Sequence, residues 1–353
     1  MKKNICVIIV VSTLLLLTGC NKGLTSNNPP PKDIEKPQSE ENVTKLKIEN
    51  YYPFEKDTTY MYEGTGNEYA TYSVQVDYLK ENRQQIRVNN GGTEMAKVFE
   101  NKDGELRLIF SQGESYYRED FTKKTNDKSE IILKEPLTKG NSWTLSDGGV
   151  RSITNIKAPI TTPTGKYECI EVTTVRKEST IKDYYAEGVG LVKSIFTSNG
   201  TEVSSALSKI EKNVPIVQTV RFYYPNGNDG INYIKEKKLS FNTNDLTRET
   251  FEKSFKEVEG TNLGKLLGPS VKINSLYLNV DNMVYLDLSK EFTTEMNAGS
   301  GYESQILQCI TNTIGDYYAV QKVYITVEGE PYSSGHIAMK KGEAFIVDYT
   351  NTK

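Results

Sequence analysis

Two hydrophobic periods divide the chain. From Ile48 to Ile210 apolar and polar positions alternate in short runs rich in Tyr, Val, Ile and Thr, at 59–62, 69–77, 85–88, 97–100, 105–111 and 115–118. That is the period of half-buried strands. Asn90-Gly91-Gly92, Asp103-Gly104 and Asp147-Gly148-Gly149 fall between runs, and such pairs supply the positive φ that tight hairpins need. No helical period lasts beyond a turn or two, so residues 48–212 are predicted to be a β-rich antiparallel domain.

From 213 to 353 the period changes repeatedly. Strands are predicted at 218–224 and 232–241, flanking the turn cluster Pro225-Asn226-Gly227-Asn228-Asp229-Gly230. Phe251, Phe255 and Val258 have helical spacing, and a further turn through Leu263, Leu266 and Leu267 would end at Gly268-Pro269. Strands follow at 275–280 and 284–288. Tyr302, Ile306, Cys309, Ile310, Thr313, Ile314 and Tyr317 then share one helical face, with Gln305, Gln308, Asn312 and Asp316 opposite. Ser300 and Glu303 have the spacing of a capping box. Residues 322–327 alternate as a strand, and 336–339 with 344–349 read as a closing hairpin. The order ββαββαβ predicts a two-layer α/β module, a mixed sheet with helices on one face.

The start of the chain has a different character. Lys2 and Lys3 precede an uncharged apolar run ending in Leu17-Thr18-Gly19-Cys20. A basic head and a short apolar run read as a signal peptide over 1–19, too short to span a bilayer, which takes about 20 residues. The four-residue ending resembles the bacterial lipobox, which implies cleavage before Cys20 and lipidation of its thiol. Residues 20–47, with Pro29-Pro30-Pro31 and few apolar positions, are expected to be a disordered tether. The expected location is therefore the extracytoplasmic face of a cell membrane, held by lipid on Cys20.

Composition removes function classes. Loss of Lys2 and Lys3 with the leader takes the formal net charge from −3 to −5, which gives no basic footprint for nucleic acid. Cys169 and Cys309 are the cysteines left once Cys6 and Cys20 are assigned, and both are expected to be buried thiols. Trp143 is expected in the core. Lys235, Lys237 and Lys238 with Glu236 read as a solvated charged strand.

Catalytic chemistry finds little footing. His336 is the sole histidine, which rules out a two-histidine metal site within one chain. A Ser-His-Asp triad would need it beside a serine, with no Gly-x-Ser-x-Gly elbow to support one. Asp287 and Glu291 could pair as glycosidase carboxylates, but Asp287 and Ser289 are better read as capping the turn after their strand. No phosphate loop or dinucleotide fingerprint occurs. No enzyme activity and no cofactor are expected.

Two resemblances sharpen this. The stretches 136–145, 161–174 and 184–196 resemble a β-rich domain of Gram-positive surface lipoproteins. The stretches FYYPNGNDG (222–230), LGKLLGPSV (263–271), VYLDLSKEF (284–292), SGYESQILQCITNTI (300–314) and VQKVYITVEGE (320–330) resemble, in order and spacing, the GerMN domain of sporulation and spore-germination proteins. The resemblance implies a non-enzymatic, lipid-anchored envelope component that binds other envelope or sporulation proteins. Gln305, Gln308 and Asn312 are the candidate partner contact. The alternative is a vegetative surface lipoprotein binding cell-wall glycan or a small ligand, with tyrosines such as Tyr116 and Tyr117 stacking on sugars.

Overall fold

The computed structural model describes residues 45–127, 129–258 and 260–353. The leader, Cys20 and nearly all of the tether lie outside them. Residues 45–353 form one compact unit.

Its first part is an antiparallel sheet of twelve strands: β1 (Thr58–Thr65), β2 (Tyr72–Lys80), β3 (Arg83–Asn89), β4 (Glu94–Lys102), β5 (Glu105–Gln112), β6 (Glu130–Lys134), β7 (Ser142–Thr144), β8 (Val150–Thr162), β9 (Gly165–Val175), β10 (Ser179–Ala186), β11 (Gly190–Ser198) and β12 (Thr201–Lys212). The order β6-β5-β4-β3-β2-β1-β12-β11-β10-β9-β8-β7 makes two six-stranded meanders joined at the centre by β1 and β12. Turn chemistry sets the hairpins: Asp103 and Gly104 both have positive φ, as do Asn199 and Gly200, the pairing of a two-residue turn matched to strand twist.

The sheet curls until its two ends meet. The Trp143 indole and the Arg151 guanidinium both donate to the Ile131 carbonyl of β6, at 3.1 and 2.6 Å, and Arg151 pairs with Glu130 at 2.6 Å. An apolar core containing Ile86, Phe99, Leu133, Trp143, Ile153 and Ile170 fills part of the interior. A short helix, α1 (Ile48–Tyr51), plugs one end: its Asn50 carbonyl accepts from Gly188 at 2.6 Å, and Glu135 accepts from the Ile48 amide at 3.2 Å. Trp143 and Cys169 are buried as expected, and the Cys169 thiol is pushed up to about 12 by burial.

The second part contains a hairpin, β13 (Ile216–Pro225) with β14 (Asn232–Phe241), then α2 (Thr247–Lys256), β15 (Ile273–Leu278), β16 (Val284–Leu288), a single turn α3 (Glu291–Thr294), the long α4 (Ser300–Tyr318), β17 (Lys322–Val327), β18 (Glu330–Pro331) and β19 (Phe345–Ile346). The fold class is as the pattern predicted, a strand-rich antiparallel sheet followed by a mixed sheet with helices. β15 and β16 are antiparallel and β16 and β17 parallel, while β13 and β14 form a separate two-stranded ribbon. Phe222, Phe251 and Phe255 interlock with ring centroids 5.5–5.8 Å apart and no exposed surface. Burying each ring contributes about 1.5–3 kcal/mol.

Several local expectations change. α4 begins at Ser300 with Gly299 as its cap and no side-chain cap bond, because Glu303 is drawn away to Tyr332 and His336. No helix forms through Leu263–Leu267; Gly264 donates to the Pro225 carbonyl at 2.8 Å and lies so close under Tyr302 that a Cβ there would sit 1.7 Å from its hydroxyl. The closing hairpin reduces to a Ser333–Ala338 bridge and the short β19 on the edge of β17. Lys237 is buried, its ammonium 3.4 Å from the Ser254 carbonyl and 5.5 Å from the Phe222 ring centre.

The two parts share one seam. Ala96, Val98, Ile109 and Phe110 on the outer face of β4 and β5 belong to the same core as β13, α2 and α4. Arg118 crosses the seam with both side-chain faces covered: it donates to the Tyr78 hydroxyl at 2.8 Å and to the carbonyls of Asp77 (2.8 Å), Asn242 (3.2 Å) and Asp245.

Candidate functional site

Three places carry chemistry, and they are built differently. The first is the polar face of α4. A groove of about 560 Å³ runs between the β13–β14 turn, the start of α4 and the chain's last residues, lined by Gly227, Gly301, Ser304, Gln305, Gln308 and Asp348 among others. Gln305 reaches the Ile231 carbonyl at 3.2 Å; Gln308 donates to Asn312 at 2.8 Å and to the Ile346 carbonyl at 3.0 Å. Asn312 is fully buried: it donates to the Asp348 carbonyl at 2.6 Å and accepts from the Asp348 amide at 3.0 Å. The face expected to be the partner contact is thus partly covered by the chain's own segment 345–348. Gln305 and Gln308 line the groove, and Asn312 is the post to which that segment is tied. Gly315 permits the close approach, since a Cβ there would fall 2.2 Å from Val347 Cγ2.

The second place is around His336. Its Nδ1 lies 2.7 Å from Glu303 Oε2, and Tyr332 donates to Glu303 Oε1 at 2.7 Å. Burial would raise the Glu303 carboxyl, but hydrogen bonds from Ser334, His336 and Tyr332 outweigh it and leave it below the usual carboxylate range. The ring is half exposed. Among the described residues no hydroxyl or thiol is hydrogen-bonded to Nε2, so the serine of a triad is missing. Asp287 is likewise spent: it accepts from Thr326 (2.6 Å), Gly329 N (2.8 Å) and Asn274 (2.9 Å), closing the turn between β17 and β18 and not the one after its own strand. Ser289 accepts from the Lys272 amide at 3.0 Å. Among the described residues no group of three metal-ligating side chains converges.

The third place was not anticipated. Inside the curled sheet lies a cavity of about 470 Å³ lined by Tyr60, Tyr62, Tyr72, Tyr185, Lys97 and Asp183, with Val74, Ile86, Met95 and Phe99 between them. Tyr62 and Tyr72 stack at 4.5 Å and the Tyr62 hydroxyl donates to the Leu191 carbonyl at 2.8 Å. Burial pushes the Tyr60 phenol up to about 12, raises the Asp183 carboxyl and lowers the Lys97 ammonium. The signal was present as alternate positions 60 and 62, 72 and 74, and 95, 97 and 99. Alternation alone does not tell a filled core from a hollow one. Tyr117, expected to be exposed, is buried against Tyr318 at 5.1 Å, while Tyr116 remains exposed.

The architecture is a curled antiparallel β-meander joined to an α/β module. Residues 221–333 match the Germane family, described as sporulation and spore germination, so this segment carries a Germane domain. No curated protein matches the chain. Among solved structures, the tandem GerMN domains of the sporulation protein GerM from Bacillus subtilis are 16% identical over 36% of this chain and 46% of that one, with a TM-score of 0.28. A chain described as an exported protein with a YmcC-like fold from Bacteroides fragilis is 12% identical over 46% of this chain and 99% of its own, at 0.29. One described as a lipoprotein from Clostridium perfringens is 17% identical over 37% and 87%, at 0.25.

Proposed function

We propose that this protein is a non-enzymatic component of the cell envelope, anchored by lipid on Cys20 at the outer face of the cell membrane. Its Germane domain holds another envelope or sporulation protein. The observation that carries this reading is the Germane match over 221–333. The groove beside Gln305 and Gln308 is the contact, because it is the polar recess that α4 and the β13–β14 turn leave open. Membrane attachment confines both partners to a thin layer and so raises their effective concentration. The test is cross-linking in sporulating cells with a Gly301→Glu variant. A Cβ at 301 meets nothing within 4 Å, so the side chain would project into the groove without disturbing the fold. Loss of the cross-linked species with normal protein level supports the contact; an unchanged species refutes it.

A second reading has its own observation. The cavity inside the curled sheet is of the size that small-ligand sites occupy, about 300–1,000 Å³, so the β-rich part serves as a ligand-binding module. Stacking of wall sugars on Tyr116 and Tyr117 together is not available, since Tyr117 is buried. Saturable binding of a small molecule by the purified protein, with no retention on protein-free cell wall, separates this reading from glycan binding.

A further inference from the structure

The strand order places the two ends of the cavity unequally. β1 and β3 run the same way, so the β1–β2 and β3–β4 connections lie at one end, and the β10–β11 connection lies at the other. At the β10–β11 end, α1 and the segment Tyr52-Pro53 cover the opening, through the bonds to Gly188 and Glu135 described above. At the opposite end the lining reaches Tyr69 and Asn90. Tyr69 is 53% exposed, and its ring lies so near Gly92 that a Cβ there would be 2.7 Å away. The cavity is a cup with a plugged floor and an aromatic residue at its mouth.

Its wall carries unspent polar groups. Among the described residues, the hydroxyls of Tyr52, Tyr60, Tyr72 and Tyr185 make no hydrogen bond to protein, and the Lys97 ammonium has neither a hydrogen bond nor an ion pair. Glu130, the carboxylate that acts on it, is held by Arg151 at 2.6 Å, and Asp183, elsewhere on the cavity lining, accepts from Ser194 at 2.6 Å. Lys97 is half-buried on the cavity wall, and an ammonium partly withdrawn from water without a counter-ion gains by pairing. A filled core would place an apolar side chain at 97, flanked as it is by Met95 and Phe99 on the same face of β4. Burial depresses the Lys97 ammonium, which an incoming oxyanion would reverse.

We propose that the cup binds an amphipathic monoanion, a molecule whose apolar body, the size of one acyl chain or a small ring system, lies among Val74, Ile86, Met95 and Phe99 while its single oxyanion pairs with Lys97. This rests on the small-ligand reading of the β-rich part. The tyrosine hydroxyls donate further hydrogen bonds to the oxyanion, and charge-assisted bonds of this kind are about twice as strong as neutral ones. Recognition of this sort depends on the charge at one end and is tolerant of the body at the other.

The experiment is calorimetric titration of decanoate and of decanol, each below its aggregation concentration, into the purified residues 20–353. The proteins compared are the wild-type sequence, Lys97→Met and Met95→Trp, each checked for an unchanged circular dichroism spectrum. The expected result is saturable one-to-one binding of decanoate that weakens at least tenfold in Lys97→Met, with decanol binding equal in both. Met95→Trp, which fills the cup, should abolish both. Equal binding of decanoate to wild type and Lys97→Met overturns the pairing while leaving a ligand cavity. No saturable binding of either compound to the wild-type protein overturns the pairing and the small-ligand reading together.

Discussion

The guanidinium of Arg118 and the carboxylate of Asp77 lie 3.4 Å apart with neither side chain exposed, at the seam between the twelve-stranded sheet and the Germane domain. They form an ion pair without an aligned hydrogen bond. Arg87 approaches the other Asp77 oxygen at 3.3 Å and is itself paired with Glu94 at 2.7 Å. Two cations and two anions thus form a neutral set, with Asp77, Arg87 and Arg118 buried and Glu94 at its partly exposed edge, the arrangement in which buried charge is tolerated.

Arg118→Met should therefore destabilise the whole unit. It would strip the Asp245 carbonyl of its donor, leave the Asn242 carbonyl with the Asp245 amide alone, and remove one of the two cations beside Asp77. Breaking such a buried pair costs about 3–5 kcal/mol. Equilibrium urea unfolding measures it. A loss below about 1 kcal/mol would show that the seam is held by its apolar contacts alone.

What the sequence made legible follows from how local each signal is. The strands at 284–288 and 322–327 agree residue for residue with β16 and β17, because alternation is complete within each segment. α4 is legible for the same reason: its apolar positions repeat from Tyr302 to Tyr317, about four turns. The capping box misleads because Glu303 finds Tyr332 and His336, partners 29 and 33 residues away, and a buried pair of bonds outcompetes one exposed cap. The pairing of β1 with β12 brings Thr58 against Lys212, a contact with no local signature. The candidate contact was half legible: spacing put Gln305, Gln308 and Asn312 on one face, but the cover comes from segment 345–348. The cup was hidden because a strand facing a hollow has the same pattern as one facing a core.

Gly315 supplies a direct probe of that cover. Gly315→Ala brings a methyl group into Val347 and within 3.0 Å of the Val320 carbonyl. Helix propensity favours the change by up to about 1 kcal/mol, but overpacking costs about 1–3 kcal/mol. The expected outcome is a net loss, with segment 345–348 cut sooner by protease. A stabilised variant would show that the segment is not held against α4.

Glu303 should make stability acid-sensitive in a defined direction. Its folded carboxyl titrates below its ordinary value near 4.5 despite burial. The folded state thus binds its proton less readily than the unfolded chain does. The contribution is complete above about pH 4.5 and disappears as pH falls through the folded value. Glu303→Gln should be less stable than wild type at pH 7 by about 1.5–3 kcal/mol, the range for hydrogen bonds to a charged group. Urea midpoints at pH 7 and pH 3 should show the gap closing on acidification; a constant gap would mean that packing, not charge, sets it.

The proposed lipid anchor is tested at Cys20. Cys20→Ser should abolish incorporation of labelled palmitate and move the protein from the membrane fraction to the medium. Two acyl chains give stable anchoring where one is marginal, so release should be nearly complete. Retention of the variant in washed membranes would contradict a lipid on this residue.

Asn312 and Gly301 together separate docking from folding. Asn312→Asp removes the donor to the Asp348 carbonyl and sets a carboxylate against that carbonyl in a fully buried position. A buried acceptor left unsatisfied costs about 1–3 kcal/mol, and more where charge is involved. Unfolding should therefore come at lower temperature, and any loss of partner would follow from the fold. Gly301→Glu stands in the first turn of α4, where an acidic side chain favours the helix N-terminus by about 0.3–1 kcal/mol. Its melting temperature should be equal to or above that of wild type, so a loss of cross-linked partner in this variant belongs to the groove itself. Loss of partner in Asn312→Asp with retention in Gly301→Glu would move the contact away from the groove to a surface that depends on segment 345–348.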